Sequence, residues 1–252
     1  MSKRQAPRAA GHADAPRTLI ELVYGRLRDD IVEGRLRPGE RLRIEHLRGR
    51  YGVGAGTLRE AITRLVSDAL VEAEGQRGFR VAPVSLADLA DLTELRLHIE
   101  LDALRQSIRL GGAAWRAELE RAFSALDACP ISSQSRQLWE ALNTRFHEVL
   151  ISGRPSPWTL RVWRVLTRHG ERYRSQSIAL LSSEPRDVVS EHRDIFEAAM
   201  DGNEARAALA LEAHIRGTLD FLTRNEGRSE RTDANARSTA DGAQQVFTRD
   251  AF

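Results

Sequence analysis

Apolar residues recur every three or four positions along most of this chain, which predicts helices almost throughout. In Thr18–Glu33, the residues Leu19, Leu22, Val23, Leu27 and Ile31 form one stripe, and Gly34 closes the run before the turn Arg37-Pro38-Gly39-Glu40. Ile44–Tyr51 (IEHLRGRY) reads as a second, shorter helix, and Gly52-Val53-Gly54 as a tight turn. Within Gly52–Leu70, Leu58, Ile62, Leu65, Val66 and Ala69 hold the spacing of a buried stripe, while Arg59, Thr63 and Ser67 fall on the opposite side. Thr57-Leu58-Arg59-Glu60 fits a capping box, which places a helix start at Thr57. Then the period changes. Val71-Glu72-Ala73 and Gly78-Phe79-Arg80-Val81 flank Glu74-Gly75-Gln76-Arg77, the pattern of a β-hairpin with Arg77 at its tip. Three helices and a hairpin in this order make a winged helix-turn-helix.

Pro83-Val84-Ser85 marks a boundary, because Pro83 stops the strand and Ser85 can cap a new helix. Six helical runs follow: Leu86–Leu110, Ala113–Ala128, Ser135–Ser152, Pro157–Leu181, Glu184–Asp201 and Glu204–Thr223. Leu89, Leu92, Leu95, Leu97, Ile99, Leu101 and Leu104 make the first of these apolar nearly all round, as in a helix buried on several sides. Trp139, Trp158 and Trp163 at helical positions read as core residues. The chain thus divides into a winged helix-turn-helix domain at 18–83 and an all-helical domain at 84–224. Residues 1–17 and 225–252 are polar, lack any period and are expected to be disordered. The fold class is mainly α, a winged helix-turn-helix followed by a six-helix bundle.

Composition narrows the function classes. The 252 residues are 41% hydrophobic and 29% charged, which suits a globular chain of one or two domains. No run of about 18 apolar residues occurs, which argues against a membrane span. MSKRQAPRAAGHADAP lacks the apolar core of a signal peptide. The single cysteine, Cys129, excludes an internal disulfide and a Cys-rich zinc site. A cytoplasmic protein is the expectation. Net charge is only +2, but residues 1–83 hold 16 Lys+Arg against 11 Asp+Glu, and the remainder is slightly acidic. A basic head on an acidic body suits a phosphate-binding element on a sensing or oligomerising one, although so small an excess also arises by chance.

Several side chains are candidates for chemistry. Arg59 stands near the start of the helix that a DNA major groove would receive, with Thr57 and Thr63 on the same helix. The alternative is a solvated arginine paired with Glu60 or Asp68. Asn143 and His147 are four residues apart on one helix face, and His192 and His214 lie on two later helices. Three imidazoles converging in a bundle would bind a borderline divalent cation and leave positions for an effector or water. Each could equally turn to solvent or pack as an ordinary histidine, and spacing does not choose. Arg96, on the most apolar helix, could take an effector carboxylate as a bidentate pair, or pair with Glu100 four residues on. Arg168, Arg172 and Arg174 would supply a second anionic contact or form a solvated face.

As a set, Pro38-Gly39-x-x-Leu42, Leu47, Tyr51-Gly52-Val53, Leu58-Arg59-Glu60-Ala61, Leu65 and Gly78-Phe79-Arg80-Val81 resemble the GntR family of bacterial transcription regulators. The helical part, with Phe146-His147, Glu191-His192 and His214, resembles the FCD effector domain of the FadR subfamily, and the likeness runs from Thr18 to about Thr223. The turn around Val53-Gly54-Ala55-Gly56 and the wing Gln76–Val81 are similar to those of CsiR-type repressors of glutarate catabolism. The resemblance implies DNA contacts by Arg59 and by Arg77 at the wing tip, with a helper position at His46 or Arg48. It also implies a metal site, zinc or nickel, on His147, His192 and His214, with Asn143 where the family commonly has Asp. Many members carry Ser-Arg where this chain has Gly54-Ala55, so one base-reading arginine is missing and more specificity falls on Arg59. The expectation is a homodimeric, non-enzymatic repressor that binds a palindromic duplex operator and is released by a small carboxylate effector. Two rivals are an architectural DNA-binding protein whose helical domain only dimerises, and a metal-dependent enzyme using the three histidines. The second leaves the winged head without a purpose.

Overall fold

The computed structural model describes residues 18–132, 134–180 and 186–247. The chain separates into two compact units, Met1–Pro83 and Val84–Phe252.

The first unit runs α1 (Leu19–Val32), β1 (Arg41–Leu42), α2 (Ile44–Tyr51), α3 (Ala55–Ser67), β2 (Val71–Ala73) and β3 (Phe79–Val81), with a single 3-10 turn at Gly75–Arg77 between the last two strands. Thr18 and Glu21 form a reciprocal capping box that starts α1. The sheet is antiparallel in the order β1-β3-β2, with Arg41 opposite Arg80 and Val71 opposite Val81. The hydrophobic pattern misses β1, because two residues are too few to display a period of two. Leu27, Ile31, Leu47, Tyr51, Leu58, Ile62 and Leu65 from the three helices meet in one core with Leu42, Val71 and Val81 from the strands.

Both ends of α3 differ from the sequence expectation. The helix begins at Ala55 with Gly54 as an extended N-cap and no side-chain cap, so Thr57 is the third helical residue and caps nothing. The backbone of Gly54 turns the chain into the helix two residues before the Thr-x-x-Glu pattern would. At the other end, Ala69 leaves the buried stripe, adopting φ 54 on an exposed turn. Leu70 N–H donates to the Leu65 carbonyl (3.0 Å) and Ala69 N–H to that of Val66 (2.9 Å). These are the paired bonds of a Schellman motif, in which glycine is the usual left-handed residue.

The second unit is helical: α4 (Leu86–Leu110), α5 (Ala113–Asp127), α6 (Arg136–Leu150), α7 (Pro157–Leu180), α8 (Val188–Met200) and α9 (Glu204–Phe247). Ser85 caps α4 by accepting the Asp88 N–H (3.1 Å), and the Tyr173 hydroxyl on α7 donates to the Asp88 carboxylate (2.5 Å). Leu104, Leu119, Phe146, Leu150, Ile195 and Leu211, from five of these helices, fill the main core. Trp139 and Trp163 are buried, but Trp158 is 70% exposed, with the Arg161 guanidinium 4.5 Å over its ring. Trp158 lies in the first turn of α7 with its ring turned to solvent, so it is not a core residue. A second correction concerns the C-terminus. The expected tail at 225–252 is helical as far as Phe247, continuing α9 without a proline to interrupt it, although Gly227, Gly242 and its Asn, Asp, Ser and Thr residues have low helix propensity. Residues 1–17 and 248–252 lie outside the described residues. Among the described residues, no helix is long and apolar enough to cross a membrane.

Candidate functional site

The first unit presents a helix, a turn and a second helix. Gly52 ends α2 with φ 68, a left-handed conformation that a side chain would strain, and its N–H donates to the Arg48 carbonyl (2.9 Å). A buried carboxylate holds this turn to α1. Asp30 accepts hydrogen bonds from the Tyr51 hydroxyl, from Arg50 Nη2 (2.7 Å) and from Arg35 Nε (2.5 Å). Burial pushes the Asp30 carboxyl up, but the bonds from Tyr51 and Arg35 and the charge of Arg50 outweigh it and leave it below its ordinary value.

Arg59 is exposed on α3, and its guanidinium has no hydrogen bond or ion pair among the described residues. Both suggested partners are engaged elsewhere: Glu60 with Arg64 (3.2 Å), and Asp68 with the Tyr24 hydroxyl (2.5 Å). Thr63 is exposed one turn further on and donates to the Arg59 carbonyl (2.8 Å), while Thr57 is half-buried. On α2, His46 is exposed and Arg48 reaches Glu45 (3.3 Å). Arg77 is exposed on the 3-10 turn between β2 and β3. Arg80, half-buried, donates to Glu74 (2.6 Å) and to the Gly39 carbonyl (2.5 Å), and so anchors the wing.

The second unit brings His147 (α6), His192 (α8) and His214 (α9) together. All three are buried, and one ring nitrogen from each lies within 4.8 Å of the others. His147 Nε2 and His192 Nε2 are 3.4 Å apart. Two nitrogens about 2.1 Å from one tetrahedral cation would be separated by roughly 3.4 Å, so this spacing suits a shared ion. Burial holds the His147 and His192 imidazoles well below the ordinary histidine range, and protonation of the neighbouring His214 ring would lower them further. His214 is lowered by burial too, against the pull of the Glu191 carboxylate. Neutral imidazoles are the ligand form. Asn143, one turn before His147, is buried, and among the described residues neither its Oδ1 nor His147 Nδ1 has a hydrogen-bond partner. These four residues fit a divalent cation: three neutral nitrogens and an unengaged amide oxygen.

Asn143, His147 and His214 line a small cavity with Arg96, Trp163, Thr167 and Arg174. Its volume is about 10 Å³, room for one water-sized group. Arg96 donates to Glu100 (2.7 Å), so its expected salt bridge exists and the residue still borders the cavity. Trp163 Nε1 and Thr167 Oγ1 are buried without partners among the described residues. Arg174 is not on a solvated face; its side chain is only 11% exposed, pairs with Glu140 and borders the cavity. The sequence did not single out Trp163, Thr167 or Glu140 as site residues, because each sits at an ordinary core or surface position of its helix. Glu191 and Arg186 were also missed as site residues, although Glu191 stands beside His192. Glu191 accepts from His214 Nδ1 (2.8 Å) and Arg186 (2.6 Å). Burial raises the Glu191 carboxyl, and these two bonds more than reverse it.

An exposed arginine on the second helix of a winged helix-turn-helix, with a helical unit carrying a histidine-lined cavity, defines a DNA-binding transcription regulator. Residues 19–81 match the bacterial regulatory proteins of the gntR family, and residues 91–217 match the FCD domain. The chain is 40% identical over 211 residues to the HTH-type transcriptional regulator BphR of Paraburkholderia xenovorans strain LB400, covering 82% of this chain and 86% of that one. It is 31% identical over 205 residues to the HTH-type transcriptional repressor GlaR of Escherichia coli K12, covering 79% and 93%. Among solved structures, a GntR transcriptional regulator from Rhodococcus sp. RHA1 shares the fold with a TM-score of 0.65 at 22% identity, over 81% of this chain and 97% of that one. McbR/YncC of E. coli does so at 0.62 and 18%, over 83% and 99%. The chain belongs to the GntR family of bacterial transcription regulators, and its helical unit carries an FCD domain.

Proposed function

We propose that this regulator is a cytoplasmic homodimeric repressor. Two winged heads bind a palindromic operator, and a small carboxylate effector, held beside a divalent cation in the helical domain, releases them. Zinc or nickel is the ion, on His147, His192 and His214, with Asn143 as a weak fourth ligand. The observation that carries this reading is the buried histidine cluster opening on a cavity bordered by Arg96 and Arg174, with Trp163 and Thr167 offering unpaired polar atoms. Bound metal would supply a Lewis-acidic anchor for one carboxylate oxygen. The chain's own arginines supply the complementary charge and bidentate geometry.

The cavity's small volume supports a switch. A carboxylate is larger than the group that fits, so its binding moves side chains of α4, α6, α7 or α9 apart. A ligand shifts an equilibrium only through unequal affinity for two states, and a cavity that must open provides that inequality. In the heads, Arg59 reads bases, with Thr57, Thr63, His46, Arg48 and Arg77 as supporting contacts to bases or phosphates. The test is a thermal-shift screen of small carboxylates against zinc-loaded and metal-free protein. At least one acid should stabilise the loaded form by several degrees and the stripped form by less. No acid stabilising either form would refute the effector reading and favour a helical domain that only dimerises.

A further inference from the structure

Glu191 stands beside His192 at the start of α8 and spans the gap to α9, where its Oε2 lies 2.8 Å from His214 Nδ1. Its carboxylate is itself gripped. Arg186 donates to both oxygens, Nε to Oε1 at 2.8 Å and Nη2 to Oε2 at 2.6 Å. The same guanidinium donates to the His214 carbonyl (2.7 Å) and to Thr218 Oγ1 (3.0 Å). Gly217 makes the seat for it: a Cβ at that position would fall 2.6 Å from Arg186 Nη2 and 2.8 Å from its Cζ. An arginine whose side chain is only 10% exposed, a carboxylate and an imidazole therefore form a chain that ends on one face of the histidine cluster.

We infer that Glu191 is a positioning residue for the three-histidine centre: gripped by Arg186, it holds His214 with Nδ1 protonated, so that the Nε2 lone pair is the one offered beside His147 and His192. The physical reason is that a neutral imidazole carries a single proton on either nitrogen. A carboxylate acceptor at Nδ1 fixes the proton there, fixes the ring's rotation and makes Nε2 the more basic donor. Without that acceptor the ring would divide between tautomers, and a cation would have to select the minority that presents the right nitrogen. Arg186 acts one step further out, by setting where the carboxylate stands. Gly217 acts through Arg186.

This inference rests on the metal reading above, and the experiment separates the two. Zinc affinity is measured by competition with a chromophoric chelator for the full-length protein and for Glu191→Gln, Glu191→Leu and Gly217→Ala. Histidine ring ¹⁵N spectra of the metal-free proteins report the tautomers. The wild type should show His214 protonated at Nδ1. Glu191→Leu should lose about 10- to 100-fold in zinc affinity, with His214 divided between tautomers. Glu191→Gln keeps an oxygen acceptor and should retain the tautomer and most of the affinity. Gly217→Ala meets the Arg186 side chain before any backbone atom, so it should fold, displace the guanidinium and lose affinity by a factor between those of the other two. If Glu191→Leu does not fold, Gly217→Ala decides: affinity and His214 spectrum both unchanged overturn the inference. Wild-type zinc binding together with unchanged affinity in Glu191→Leu overturns it while leaving the metal reading intact. A wild type that takes up no zinc overturns both.

Discussion

Replacing Arg59 with alanine should cost the protein its choice of DNA sequence without costing it its fold. The guanidinium is exposed and has no partner among the described residues, so its removal strands none of them, and the helix gains a residue of slightly higher propensity. Stability should therefore change by less than about 0.5 kcal/mol. On DNA, one bidentate arginine–guanine pair is worth about 1–3 kcal/mol of discrimination. For one head that is about 5- to 150-fold in Kd, and two heads on a palindrome roughly double the free energy. Gly54-Ala55 supplies no neighbouring arginine to take over. Fluorescence anisotropy, with a duplex recovered by unbiased selection and a scrambled duplex at the same moderate salt, measures both affinities. Specific binding should weaken at least about tenfold more than non-specific binding, and the salt slope should change by less than about two. Equal losses on both duplexes would mean that Arg59 contacts phosphate, and the assignment of base readout to α3 would fail.

Other outcomes follow from the same structure. His192→Ala removes one of three converging nitrogens and should abolish zinc uptake, measured by elemental analysis of protein purified without a histidine tag; uptake at wild-type stoichiometry would contradict the metal assignment. Arg96→Lys keeps a charge beside Glu100, which is fully buried, but loses the guanidinium fork, so it should remain folded and lose most of the thermal shift given by a carboxylate. Arg96→Ala would instead strand Glu100 and cost about 3–5 kcal/mol, seen as a large drop in Tm. Asp30→Asn should destabilise the winged unit by about 1–3 kcal/mol in urea unfolding at pH 7. The Asp30 carboxyl is held below its ordinary value of 3.8, so its contribution is complete above that pH and disappears as the pH falls through the lower, folded value. The gap between wild type and variant should accordingly stay constant down to about pH 4 and close below it; a gap that closes between pH 7 and 5 would point to a different group. Ala69→Gly relieves a left-handed alanine worth about 1–2 kcal/mol, less about 0.4–1 kcal/mol of added unfolded-state entropy, so a small rise in Tm is expected.

The parts of this molecule that repeat locally were legible in the sequence. The stripe Leu58, Ile62, Leu65 identified α3 as a packed helix, and Val71–Val81 around a Gly-containing turn identified the wing. Features set by backbone geometry were less so. Gly54 starts α3 before the Thr-x-x-Glu pattern does, and Ala69 takes a conformation that glycine usually fills. The two-residue β1 exists only because β3 pairs with it. Trp158 shows the limit of residue type as evidence: its spacing suited a core, but its place in the first turn of α7 leaves it outside one. The histidine cluster depends on three helices meeting. Spacing alone could relate Asn143 to His147, four residues apart, and could not relate either to His192 or His214. Family resemblance supplied that link, and the packing of α6, α8 and α9 puts the rings side by side. Arg186 and Glu191 act through the groups they hold, so nothing in their own spacing distinguishes them from ordinary surface charges.

In the proposed mechanism, occupancy of the histidine-lined cavity decides whether the heads hold DNA. The decisive experiment measures the Kd of zinc-loaded protein for its selected duplex while titrating a carboxylate that stabilises the protein thermally. Kd should rise at least about tenfold as the acid saturates, and Arg96→Lys should blunt the response. An acid that binds, raises Tm and leaves the Kd for the duplex unchanged would contradict this mechanism.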